Sequence, residues 1–73
     1  MATLYIAFDS ITIWPSVEEY AVCGKIRIDD LLCVTGVRVL DVNLNYDMVQ
    51  VLHPKNGLGY VIADVLHSNA RRA

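Results

Sequence analysis

From Tyr20 to Leu40 apolar and polar side chains alternate almost without interruption, and the run breaks once, at Asp29-Asp30. A period of two is the signature of a half-buried β-strand. Two such runs meeting at turn-forming residues satisfy their backbone groups most directly by pairing with each other. A tight turn centred on Asp29-Asp30 sets Ile28 opposite Leu31, Ile26 opposite Cys33, Val22 opposite Val37 and Tyr20 opposite Val39, with Gly24 facing Thr35. One face of that hairpin is apolar along its length, which is the condition for a well-specified register. Asp-Asp is a weaker turn pair than Asn-Gly or Asp-Gly, so a slightly longer loop is compatible with the same strands. The opposite face carries Ala21, Cys23, Lys25 and Arg27 against Arg38, Gly36, Val34 and Leu32. With Leu40 and Val42 it holds too many apolar groups for a solvated surface, and a partner subunit is expected to cover part of it.

The flanking segments complete a sheet. Residues 3–14 are rich in β-branched and aromatic types, with Leu4, Ile6 and Phe8 alternating on one face. The phase changes at Asp9-Ser10, after which Ile11 and Ile13 run one position out of step; a bulge or a break there returns both sets to one side. Pro15 cannot donate to a ladder and ends the strand. Asn43-Leu44-Asn45 supplies turn chemistry, and Tyr46 to His53 reads as a fourth strand stopped by Pro54. The period then changes. Leu58, Val61, Ile62, Val65 and Leu66 fall on one stripe of an amphipathic helix, with Asn56 as its N-cap and Arg71 and Arg72 near its C-terminal end. The expected architecture is a single α+β domain over residues 1–73. It has a four-stranded antiparallel sheet with one C-terminal amphipathic helix packed on a face, and it assembles as a strand-mediated dimer.

Composition supports the dimer. A chain of 73 residues holds one core, near the lower limit at which a core supports itself. Its hydrophobic fraction is nonetheless 55%, against roughly 45–50% in ordinary soluble domains. The excess points to a second buried face, most simply in an oligomer. It excludes a disordered tail, a disulfide miniprotein, a collagen-like chain and a coiled coil. No apolar run reaches the roughly 18–20 residues that span a bilayer. The first residues also lack the basic and apolar regions of a signal peptide. The expectation is a cytoplasmic protein with reduced thiols and no membrane partner.

The candidate chemistry is sparse. Cys23 and Cys33 lie too far apart for an intrachain disulfide in either hairpin register, and both read as buried thiols acting as small hydrophobes. The chain has no Cys-x-x-Cys and no close His pair, so no metal is expected. His53 reads as a strand-end residue and His67 as a solvated one on the helix's polar face. Ser10, Ser16 and Ser68 sit in no nucleophile motif, and Asn56-Gly57-Leu58-Gly59 lacks the spacing of a phosphate loop. Neither catalysis nor a cofactor is expected. The net charge of −2 gives no global basic footprint. A local one is possible: Lys25, Arg27 and Arg38 share a face in the hairpin register, Lys55 precedes the expected helix, and Arg71 and Arg72 follow it. These six are the candidate nucleic-acid-binding residues.

The stretch from Val22 to Asp41 resembles the core motif of the SpoVG family, small bacterial regulators. The matching residues are Val22-Cys23-Gly24-Lys25-Ile26-Arg27-Ile28-Asp29 and, after Asp30 to Cys33, Val34-Thr35-Gly36-Val37-Arg38-Val39-Leu40-Asp41. Val49 to Lys55 is similar to the family's strand end, and the final helix to its last one. The family's longer basic excursion before that helix is reduced here to Pro54 through Gly59. The resemblance implies a β-rich sheet with a C-terminal helix, dimerisation through strands, and DNA or RNA binding in regulation, with Arg38 and Lys55 as the matching basic positions. Docking on another protein, by a sheet edge or an apolar sheet face, is the alternative that the apolar excess supports.

Overall fold

The computed structural model describes residues 2–16, 23–41 and 45–73. The phase change at Asp9-Ser10 proves to be a full break, separating strand β1 (Thr3–Ala7) from β2 (Ile11–Ile13). It sends the chain from one sheet into another. β2 pairs with β3 (Gly24–Ile26) in a two-stranded sheet. β1 belongs to an antiparallel five-stranded sheet with β4 (Leu31–Asp41), β5 (Tyr46–His53), β6 (Gly57–Ile62) and β7 (Ala70–Arg72), in the order β6-β5-β4-β1-β7. One short helix, α1 (Ala63–Asn69), joins β6 to β7. The fold is α+β as expected, and β5 has the expected bounds, but the main sheet has five strands where four were expected.

Among the described residues the hairpin expected between Tyr20–Asp29 and Leu31–Leu40 does not form. Its turn exists: Asp30 N–H donates to the Arg27 carbonyl at 3.0 Å, with Asp29 in the left-handed region at φ 72°. Beyond the turn the strands part. β4 pairs with β1 on one edge and β5 on the other, while Ile26 of β3 lies opposite Ile11 of β2. This arrangement pairs Leu31–Val34 of the eleven-residue β4 with β1 and Cys33–Asp41 with β5, and it buries Ile11, Ile13 and Ile26 almost completely. Inside and outside are also exchanged along β4. Leu32 is in the core, Val34 packs against it, and Ile28 and Leu31 are exposed. The expected pairings of Tyr20 and Val22 lie outside the described residues, as do Val42, Asn43 and Leu44; Asn45 has a left-handed φ of 57°.

The helix is shorter than its apolar stripe suggested. Leu58, Val61 and Ile62 lie on β6, which runs against β5 from His53↔Gly57 to Met48↔Ile62. Two glycines disfavour a helix there, and Tyr60-Val61-Ile62 favours a strand. Gly57, at φ 74°, supplies the left-handed residue that reverses the chain. Asn56 therefore caps no helix; the N-cap position is Ile62, without a side-chain hydrogen bond. Arg71 and Arg72 follow the C-cap Ala70 as expected, but they stand on a strand, β7.

The core lies between the sheets. Leu32, Val49, Val51 and Val61 from the main sheet meet Ile11, Ile13 and Ile26 from the small one, and Ala63 and Leu66 of α1 close one end. Each fully buried branched side chain contributes about 1.5–3 kcal/mol. Trp14 continues β2 onto the edge of β6, exchanging backbone hydrogen bonds of 2.9 and 2.7 Å with Tyr60. That crossing presses Ile13 onto Gly59, where a methyl group would stand 2.7 Å from both Ile13 Cγ1 and the Trp14 carbonyl oxygen. Since a backbone atom is one of the obstacles, Gly59→Ala is expected to destabilise the fold by about 1–3 kcal/mol. A urea midpoint equal to that of the parent chain would show that β2 does not cross β6 there.

Candidate functional site

Both turns at one end of the molecule converge on His53. This last residue of β5 is only 2% exposed, and its ring bridges two loops. Nε2 lies 2.9 Å from Asp30 Oδ2, in the turn between β3 and β4. Nδ1 accepts from the Asn56 backbone N–H at 3.2 Å and from the Asn56 amide nitrogen at 3.0 Å. Nδ1 is therefore the acceptor and Nε2 carries the proton. Both ring nitrogens are engaged, so the imidazole locks the turns together and has no lone pair left for a substrate. Asn56 extends the lock, donating from its side chain to the Lys25 carbonyl at 3.1 Å. Its amide lies so close to Gly24 that a Cβ there would fall 2.3 Å from Asn56 Oδ1.

The sheet's outer face, away from the core, carries the second feature. Leu4, Cys33, Leu52 and Leu58 are successive cross-strand partners over β1, β4, β5 and β6, and Ile6 pairs with Leu31 in the next row. Leu4, Leu31, Leu52 and Leu58 remain 45–54% exposed. A groove of about 430 Å³ runs between Leu4, Leu31, Cys33, Leu52 and Pro54. A smaller hollow of about 210 Å³ continues from it, sharing Leu31, His53 and Pro54 and adding Arg27, Asp30 and Lys55. On the other side of the leucine row, Thr35 donates to Gln50 Oε1 at 2.8 Å, and Gln50 Nε2 lies 3.4 Å from the Tyr60 hydroxyl. An apolar centre with a polar rim is the anatomy of a protein interface.

The six basic residues do not form one patch. The hairpin that would set Lys25 and Arg27 beside Arg38 is absent. Lys25 on β3 donates to Thr12 across the small sheet at 2.8 Å, and Arg38 on β4 pairs with Asp47 on β5. Arg71 and Arg72 lie on β7, at the far edge of the sheet. Only Arg27 and Lys55 converge, on the hollow beside His53. Cys23 is exposed and Cys33 half-buried, so the thiols are not the pair of core residues expected, and both are free. His67 is exposed on α1. Among the described residues no cluster of three or more His, Cys, Asp or Glu is placed to hold a metal, and no helix is long and apolar enough to cross a membrane. The chain matches no family model, no curated protein and no solved structure.

The lock has a pH signature. The Arg27 backbone N–H, donating to Asp30 Oδ2 at 3.0 Å, and then His53 hold the Asp30 carboxyl below its ordinary value of 3.8. The folded state thus binds this proton less readily than the unfolded chain. Its contribution to stability is complete above the ordinary value and is lost as pH falls through the lowered one. Unfolding free energy measured from neutral pH down through this acidic range is expected to fall less steeply in Asp30→Asn than in the parent chain. Parallel curves would remove Asp30 from the lock.

Proposed function

We propose that the chain is a small non-enzymatic interaction module that works as a dimer, a second copy covering the outer face of its main sheet. The observation that carries this reading is the row of half-exposed side chains, Leu4, Cys33, Leu52 and Leu58, standing in register across four strands. With Leu31, the leucines expose on the order of 350 Å² of apolar surface, the size of patch that on a monomer is often functional. A standard interface buries about 800 Å² per partner, which leaves Pro54 and the polar rim to supply the remainder. The sheet edges offer less. β7 presents three residues, and the edge of β6 is already bonded by Trp14. Packing through the face is therefore favoured over the strand-mediated contact that the SpoVG resemblance implies.

Light scattering is expected to give about twice the sequence mass of 8.2 kDa. Leu52→Asp, at a position exposed enough to spare the monomer's fold, is expected to return a folded monomer. A monomeric parent chain at ~100 μM, where even a micromolar dimer is well populated, overturns the reading.

One observation supports a second reading, in which the module binds DNA or RNA as a regulator: Arg27 and Lys55 face the same hollow. In that case anisotropy of labelled DNA and RNA weakens steeply with added salt, and Arg27→Glu/Lys55→Glu abolishes it. Flat titrations at low and physiological salt, up to roughly 10⁻⁴ M protein, exclude this reading.

A further inference from the structure

One end of the outer face carries two complementary shapes side by side. The first is a protrusion. Phe8 continues the parity of Leu4 and Ile6, and its N–H bonds to the Asn69 carbonyl at 2.8 Å, extending the β1–β7 ladder by one residue. Asp29 N–H donates to the Ala7 carbonyl at 2.8 Å, which sets the tip of the β3–β4 turn beside Phe8. Phe8 is 51% and Ile28 59% exposed, and each is followed by an exposed aspartate, Asp9 and Asp29. The second shape is the groove between Leu31, Leu52 and Pro54, whose open end carries Arg27 and Lys55. An apolar knob flanked by carboxylates thus stands next to an apolar groove flanked by cations.

A two-fold dimer requires one patch that is complementary to itself. We infer that the knob of each copy, Phe8 with Ile28, enters the groove of the other, with Asp9 and Asp29 facing the partner's Arg27 and Lys55. This rests on the dimer proposed above and names the surfaces that mate. Charge decides the occupant. The chain as a whole is acidic, with a net charge of −2, so unspecific self-association is opposed, whereas this end sets Arg27 and Lys55 beside the exposed carboxylates of Asp9 and Asp29. Among the described residues neither Asp29, Arg27 nor Lys55 forms a salt bridge within its own chain, although Asp30, held by His53, lines the same hollow as Arg27 and Lys55. The His53 lock is what keeps the two shapes adjacent, since it ties the turn bearing Ile28 and Asp29 to the turn bearing Pro54 and Lys55.

A charge exchange tests the inference. Lys55→Glu places two carboxylates at each contact of its homodimer, and Asp29→Lys places two ammonium groups there. Each is expected to raise the dimer dissociation constant at least about fivefold, and an equimolar mixture to recover the parent value within about twofold, because the mixed dimer has opposite charges at both contacts. Circular dichroism and thermal midpoints confirm that each single variant is folded. Phe8→Ser is expected to weaken the dimer without the mixture effect. A parent dimer that ignores both charge reversals, or a mixture that stays as weak as its components, overturns the knob-and-groove contact while leaving the dimer itself in place. A parent chain that is monomeric throughout overturns both.

Discussion

The hydrogen bond between His53 and Asp30 fixes the relation of two turns that are far apart in sequence. β3 is only three residues long; among the described residues Trp14 ties its sheet to β6 through Tyr60, and Ala7 ties the turn that follows β3 to β1. A buried imidazole with both nitrogens satisfied then ties that turn to the one between β5 and β6. One carboxylate oxygen meets Nε2, one amide side chain meets Nδ1, and that amide continues to the Lys25 carbonyl. Losing any member leaves a buried polar group without its partner, which costs more than the hydrogen bond contributes in isolation. The same lock brings Arg27 and Lys55, separated by two strands, to a single hollow. The lock belongs to the architecture, and the surface it shapes is the one proposed to meet a second copy.

The parts of this fold legible in the sequence are those set by local chemistry. Tyr46–His53 is bounded by a turn and by Pro54, and its residue types favour a strand on every count. The break at Asp9-Ser10 shows in the slip of apolar parity between Phe8 and Ile11. The parts misread are those where a local signal competes with pairing across the chain. The turn at Asp29-Asp30 is real, yet the strands on either side part, because the start of β4 pairs with β1 and β3 completes an isoleucine cluster with β2. Leu58, Val61 and Ile62 satisfy helical spacing, yet two glycines and three strand-favouring residues pair with β5. Phase suffers most: the alternation of β4 is plain, but which parity faces the core depends on strands elsewhere in the chain, and choosing the wrong one turns every side chain over.

The site was less legible than the fold for the same reason. Arg27 and Lys55 stood among six basic residues of equal standing, and nothing in their spacing separates them from Lys25, occupied by Thr12, or Arg38, neutralised by Asp47. A surface pair such as Arg38–Asp47 contributes about 0–1 kcal/mol, but it removes a cation from the set open to a partner. His53 read as the end of a strand, which it is. That it also anchors two turns required knowing that Asp30 and Asn56 fold over it. The SpoVG-like motif from Val22 to Asp41 is chiefly a strand pattern, and it spans a turn whose flanking strands here belong to different sheets.

The apolar excess of the composition finds its physical place in this arrangement. An antiparallel sheet can leave one face to water when that face is polar. Here one row of the outward parity is Leu4, Cys33, Leu52 and Leu58, with Thr35, Gln50 and Tyr60 beside it. The centre of the outer face is thus built from the same residue types as the inner one. Among the described residues the seven-residue helix and the small second sheet pack on the inner face, and of the outward parity Met48 is buried while the leucine row stays half exposed. The leucines left half in water then form a surface whose burial is favourable at about 25 cal/mol per Å² before the costs of association. Any ligand that binds the folded chain and not the unfolded one stabilises it in proportion to occupancy. In the dimer proposed above, folding and assembly are therefore coupled. The inner face makes the monomer possible, and burial of the outer leucines would add to its stability.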